Sequence, residues 1–252
     1  MESYAVLSQE LTRVLRLDQS PIAISFSDDA PEGVASYRGQ SPAGCRFWQE
    51  AAASAFTTTA QDHELCAIGV HTHHLQASPA QQKDLMDALK VFGDLGYVRA
   101  EDIPQIPVLK NPAKFVTYAP LAESALAADL VLLFVRADQT LLLSEATQQI
   151  ESDHAPAMGR PACAVVAQVM NSGKPAMSLG CCGARAYLDC FTDEKAVFAI
   201  PGQKLELYVE RIRALAKANE VLSQFHQLRR TQIAGGARPS IEESLIAFTA
   251  QS

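Results

Sequence analysis

Tyr4, Leu7, Leu11, Val14 and Leu15 recur at helical spacing, so the chain is expected to open with an amphipathic helix of about four turns that Pro21 stops. Ile22 to Phe26 is a short β-branched and aromatic run between that proline and Asp28-Asp29, the pattern of a buried strand. Ser27 to Pro42 reads as loop, Cys45 to Ala55 as an Ala-rich helix with Phe47 and Trp48 turned inward, and Thr57 to Thr59 as extended chain. Pro79 to Leu95 carries Leu85, Ala88, Leu89 and Phe92 at helical intervals and closes at Gly96.

Ile103 to Pro112 holds three prolines in ten positions and reads as an ordered loop, not as a domain boundary. Beyond it, Val131 to Val135 predicts a strand and Ser144 to Ile150 a short helix. Ala162 to Met170 is apolar at every position but Gln168, which leaves strand and helix equally open. Lys174 to Leu179 predicts a strand that runs into Gly180-Cys181-Cys182-Gly183, and Ala196 to Ile200 another, closed by Pro201-Gly202. Leu205 to Leu228 is expected as a long helix, after which Gly235-Gly236 frees a C-terminal tail. Alternating strand and helix signals predict an α/β or α+β layered sandwich, a mixed sheet with flanking helices, as one domain over residues 1–232 with a tail over 233–252.

The 252 residues are 48% hydrophobic, enough for a substantial core without disulfides or a structural metal. Glu2, Glu10, Arg13 and Arg16 interrupt the first helix, which therefore lacks the apolar core of a secretory signal, and a cytoplasmic location is expected. The longest strongly apolar run, Ala125 to Val135, is broken by Asp129 and is far shorter than the roughly 20 residues of a membrane span. A formal charge of −7 without a Lys/Arg cluster argues against nucleic acid. A small-molecule ligand or a redox partner is expected instead, and the sequence leaves a homo-oligomer open.

Six cysteines in a reducing compartment point to metal binding, catalysis or burial before disulfides. The most informative segment is Ser178-Leu179-Gly180-Cys181-Cys182-Gly183-Ala184-Arg185, where a strand ends in two thiols between glycines and turns into a helix. Glycines let backbone amides approach a sulfur, and a helix start lowers a thiol pKa, so the location suits a nucleophile or a metal ligand. Small buried hydrophobes are the alternative for both cysteines. Cys45 follows Gly44, Cys66 precedes Gly69, and Cys163 sits in an apolar run that reads as core. No Cys-x-x-Cys pair signals a zinc ribbon or a thioredoxin-like site.

Cys45 opening a helix, Cys66 before the Gly69 stretch, and Gly180-Cys181-Cys182-Gly183-Ala184-Arg185 ahead of Asp193-Glu194 and Ala199-Ile200-Pro201 together resemble the family called domain of unknown function 169. Pro21-Ile22-Ala23-Ile24 resembles its first strand, and the similarity runs from about Leu7 to Leu228. The resemblance implies that Cys45, Cys66 and Cys181 are the recurring cysteines, with Cys182 in a variable position and Cys190 an addition; many relatives look like proteins of anaerobic prokaryotes. Where the family is apolar and glycine-rich, this chain has His71-Thr72-His73-His74.

Three thiolates from separate loops would suit a [4Fe–4S] cluster with one iron open, or filled by Cys182 or Cys190, in a redox or Lewis-acid role on a small molecule. The same sulfurs permit zinc, and Cys181 alone would suit a thiol-dependent enzyme. His71 and His74, three apart, could share a helix face and, with an apolar pocket at Trp48, bind haem or another small ligand; a solvated helix end is the alternative. Arg185 could pair with an anion, cap a carbonyl or bridge to Asp189. His63, His154 and His226 have no supporting partners in sequence, and Ser152-Asp153-His154 is too local for a hydrolase triad. Neither common glycine-rich phosphate cradle is present.

Overall fold

A computed structural model describes residues 2–152 and 156–250, so Asp153 and His154 lie outside the described residues. In chain order the elements are α1 (Tyr4–Leu15), β1 (Ile22–Ser27), α2 (Arg46–Glu50), β2 (Phe56–Thr58), α3 (Ala67–Thr72), α4 (Pro79–Asp94), a 3-10 turn (Ala100–Gln105), β3 (Phe115–Pro120) and β4 (Leu130–Arg136). There follow α5 (Ala137–Glu151), β5 (Ala157–Met158), α6 (Ala164–Ser172), β6 (Ala176–Ser178), α7 (Cys182–Tyr187), β7 (Lys195–Pro201), α8 (Leu205–Ala234) and α9 (Ile241–Thr249).

The strands form one open mixed sheet in the order β2-β3-β1-β4-β7-β6-β5, antiparallel throughout except for β5 beside β6. It draws strands from both sides of the proline-rich 103–112 segment. Strand β4 lies at its centre and alternates cleanly. Leu130, Leu132 and Phe134 enter one core, with Phe47, Trp48 and Val165; Val131, Leu133 and Val135 enter another, with Leu11, Leu143 and Tyr208. A strand covered on both faces reads as a continuous hydrophobic run, which is why β4 stands out in the sequence.

Helices α1, α5 and α8 cover one face of this α/β sandwich. The other carries α2, α3, α6 and α7, with the cysteines among them.

Several expectations are corrected by tertiary context. Strand β3, which the sequence pattern did not signal, bridges β1 and β2 and buries Val116 and Tyr118. The residues after Glu50 are turns, so the expected Cys45–Ala55 helix is only α2. The expected Ser144–Ile150 helix begins seven residues earlier, at Ala137, where the Gln139 side chain accepts from Arg136 N–H at 2.7 Å.

The run over Ala162–Met170 is helical, and its apolar periodicity is erased because Ala164, Val165, Val166, Ala167 and Val169 are all buried. The C-terminal segment is not a free tail. A capping box between Ser240 and Glu243 starts α9, Phe248 packs on Phe225 at 6.0 Å, and Arg229 Nη1 donates to Ser244 Oγ at 2.9 Å. Among the described residues no helix is long and apolar enough to cross a membrane.

Candidate functional site

Four cysteines share one local setting. Cys45 is the residue before α2, Cys66 before α3, Cys163 before α6 and Cys181 before α7. The sheet brings these helix starts together on one face, and all four thiols, with Cys182, line a single cavity of about 650 Å³.

Burial pushes the Cys45, Cys66 and Cys163 thiols up, and within the quartet every pairing adds to the effect: Cys45 feels Cys163, Cys66 and Cys181, Cys66 feels Cys181, and Cys163 feels Cys66 and Cys181. The folding that gathers them therefore favours neutral thiols unless positive charge compensates.

Backbone amides are aimed at two of the sulfurs. Those of Gly44 and Gly69 hydrogen-bond Cys66 and partly offset its desolvation. Gly69 permits the approach because a Cβ there would stand 2.9 Å from the Cys66 Sγ. Ala184 N–H donates to the Cys181 Sγ at 3.5 Å. Ahead of it, Gly180 turns the chain with φ +89, and a Cβ would meet Phe191 at 2.6 Å, so only glycine serves.

Polar clamps fix the helix starts relative to one another. Arg46, the neighbour of Cys45, donates from Nη1 to the Tyr187 carbonyl at 2.8 Å, and Gln49 Nε2 donates to Asp189 at 3.1 Å, tying α2 to the chain around α7. Leu109 N–H donates to Thr72 O at 2.9 Å, and Asn171 Nδ2 to Val108 O at 2.8 Å, which fastens the proline-rich segment to α3 and α6 beside the cavity.

The core on this face of the sheet contains buried polar atoms without partners. Tyr118 Oη and Trp48 Nε1 have no hydrogen-bond partner, nor have His63 Nδ1 and both ring nitrogens of His73. Burial raises the Tyr118 phenol, Cys66, Cys163 and Cys45 add to the shift, and the Thr58 hydroxyl opposes it. His63 accepts or donates at Nε2 with Thr58 Oγ1 at 3.2 Å, and burial holds it well below the usual imidazole value. Burial likewise lowers His73 to about 4.

The sequence candidates thus separate. Cys45, Cys66, Cys181 and Cys182 meet at the cavity, whereas Cys190 does not line it and has Gln19, Lys195 and Asp189 around it. Cys163, read from sequence as core, is buried and also on the cavity wall.

Of the three roles open to Arg185, the structure shows the capping of carbonyls. Its Nη1 donates to Thr192 O at 2.8 Å, its Nη2 to Leu179 O at 2.6 Å and Lys195 O at 3.2 Å, and its plane covers Phe191 at 4.7 Å. It holds the Gly180 turn in shape.

The histidine segment divides: His71 lines the cavity, His73 enters the core, and His74, past the end of α3 with φ 52, hydrogen-bonds Leu109 O through Nδ1 at 2.7 Å. Helix α3 ends at Thr72, so His74 lies beyond it, yet His71 and His74 together line a second, smaller pocket. Trp48 packs in the core and is not on the cavity wall.

Among the described residues no group of three or more His, Cys, Asp or Glu is arranged to hold a single metal ion. Cluster ligands stand farther apart than the ligands of one zinc, because irons and sulfides fill the space between them.

Sequence reasoning missed Cys163, Tyr118, His63 and Arg46. The available signal for Cys163 was position: like the other three it stands where a loop becomes a helix, two residues after Pro161.

A family model described as DUF169, uncharacterised ArCR, matches residues 10–211. No curated protein and no solved structure matches the chain.

Proposed function

The chain belongs to the DUF169 family, and we propose that its thiol-lined cavity holds a [4Fe–4S] cluster on Cys45, Cys66 and Cys181, with Cys163 in reach of the fourth iron. The observation that carries this reading is the set of four thiols at four helix starts lining one cavity, two of them buried and two partly so, with no charged side chain among the groups that shift Cys45, Cys66 and Cys163. Thiols so placed ionise only against compensating charge, and an iron–sulfur core supplies it to all of them at once.

The donor set fits in its surroundings too. Amides aimed at the Cys66 and Cys181 sulfurs are the hydrogen bonds that stabilise a ligating thiolate. A cluster bound there supplies electron transfer or, at an open iron, Lewis acidity. Because the thiols front a cavity of about 650 Å³, that chemistry acts on a small molecule entering it.

The test is anaerobic purification and reconstitution with iron and sulfide, followed by absorption spectroscopy and metal analysis. About four irons and four sulfides per chain with a sulfur-to-iron charge-transfer band are expected. Loss of the band in Cys45→Ala, Cys66→Ala and Cys181→Ala should follow. Colourless, iron-free protein after reconstitution overturns the reading.

A further inference from the structure

We propose that the part of the cavity facing α4 is a binding chamber for an uncharged, largely apolar small molecule. The inference concerns the wall away from the thiols and does not depend on what they hold.

Helix α4 is secured at its first turn. Its capping box joins Ser78 to Gln81, and Gln81, its one fully buried residue, donates from Nε2 to Ala60 O at 2.8 Å. Beyond that turn Leu85, Ala88, Leu89 and Phe92, spaced i, i+3, i+4 and i+7, make one apolar stripe. Such a stripe normally faces a core. Here all four residues are only half-buried and line the cavity, together with Val98 and, from the proline-rich segment, Ile103 and Ile106. An apolar surface left against a void of this size loses both burial and packing, and an apolar occupant restores them.

Charge on the wall selects against anions. Asp84 and Asp102 are its acids, and Asp102 already accepts two hydrogen bonds from Arg99 at 2.6 and 2.9 Å. Of the basic side chains, Arg160 donates from Nη2 to Tyr97 O at 2.6 Å and lies over the Tyr97 ring at 4.5 Å. His71 is shifted towards its neutral form by burial, with His74 adding to the shift. Arg160 keeps its charge, but the two carboxylates of this wall outnumber it, so an anionic ligand would meet net negative charge in an apolar site.

The experiment compares N-phenyl-1-naphthylamine with 8-anilinonaphthalene-1-sulfonate, which adds a sulfonate to the same ring system, by fluorescence titration of the full chain before and after iron–sulfide reconstitution. The neutral probe is expected to saturate at one site per chain and to bind about tenfold or more tightly than the sulfonate. Ala88→Trp, which fills the stripe, should abolish that site with the circular dichroism unchanged, while Met86→Ser on the outer face of α4 should leave it intact. Equal binding of the two probes, or full binding by a folded Ala88→Trp chain, overturns the chamber. Failure of reconstitution with the probe site intact overturns the cluster alone.

Discussion

A Cβ on Gly69 would stand 2.9 Å from the Sγ of Cys66, so the thiol occupies the space that any larger residue would claim. At Gly44 the same addition would come 2.9 Å from His63 Nδ1 but only 3.7 Å from the Cys66 sulfur. Gly69→Ala is therefore expected to push the thiol aside and to weaken iron binding by about 10- to 100-fold, as loss of supporting geometry around a metal does. Gly44→Ala should affect iron less. Iron content after dialysis against a graded chelator measures both, and an unchanged Gly69→Ala chain would show that Cys66 is not a ligand.

Cys163 and Cys190 make opposite predictions. Cys163 stands within the thiol quartet, and Cys190 outside the cavity. Cys190→Ser should reconstitute as the parent does. Cys163→Ala should retain the three-cysteine site and change the electron paramagnetic resonance signature of the reduced protein. Identical spectra for the parent and Cys163→Ala would remove Cys163 from the ligand set.

His73 makes acid costly. Its ordinary value of 6.5 falls to about 4 on burial, so the folded state favours the neutral ring and the unfolded chain binds the extra proton. The stabilisation is complete above about pH 6.5 and is lost as pH falls towards 4, amounting to about 3 kcal/mol over the window. Urea unfolding at pH 7.5 and 4.5 should show a steep loss in the parent and a shallower one in His73→Phe, with His63 accounting for part of what persists. Equal slopes would show that His73 gains a proton partner that the fold does not provide.

Gly202 sets the exit from β7. A Cβ there would lie 1.7 Å from the Ala128 carbonyl oxygen, and Gly202 N–H donates to Asp129 O at 2.8 Å, so neither chain has room to yield. Gly202→Ala should cost about 3–5 kcal/mol, the range of severe backbone conflicts. A Tm within a few degrees of the parent would contradict that packing.

The chain announces a helix where one face alone is buried, and a strand where the run is short and buried on both faces. Leu7, Leu11 and Leu15 reveal α1 because only that stripe meets the core, and β4 is visible because both its faces do. Strand β3 stayed hidden. Phe115–Pro120 includes Thr117 and ends in proline, and it is extended because β1 and β2 supply partners on both sides. Helix α6 was ambiguous since burial all round removes the 3.6-residue signal on which such readings rest.

The sequence by itself determined the family and the layered α/β class, because those features are written in local spacing and in the motif around Gly180, and the resemblance pointed to Cys45, Cys66 and Cys181 as candidates. Only the tertiary structure decided that Cys163 joins them at the cavity, that Cys190 and Arg185 do not line it, and that the apolar stripe of α4 does. The reason is distance along the chain. Residues more than a hundred positions apart become neighbours through the pairing of β1, β3, β4 and β7, and no local pattern of side chains records which helix starts that sheet will bring face to face.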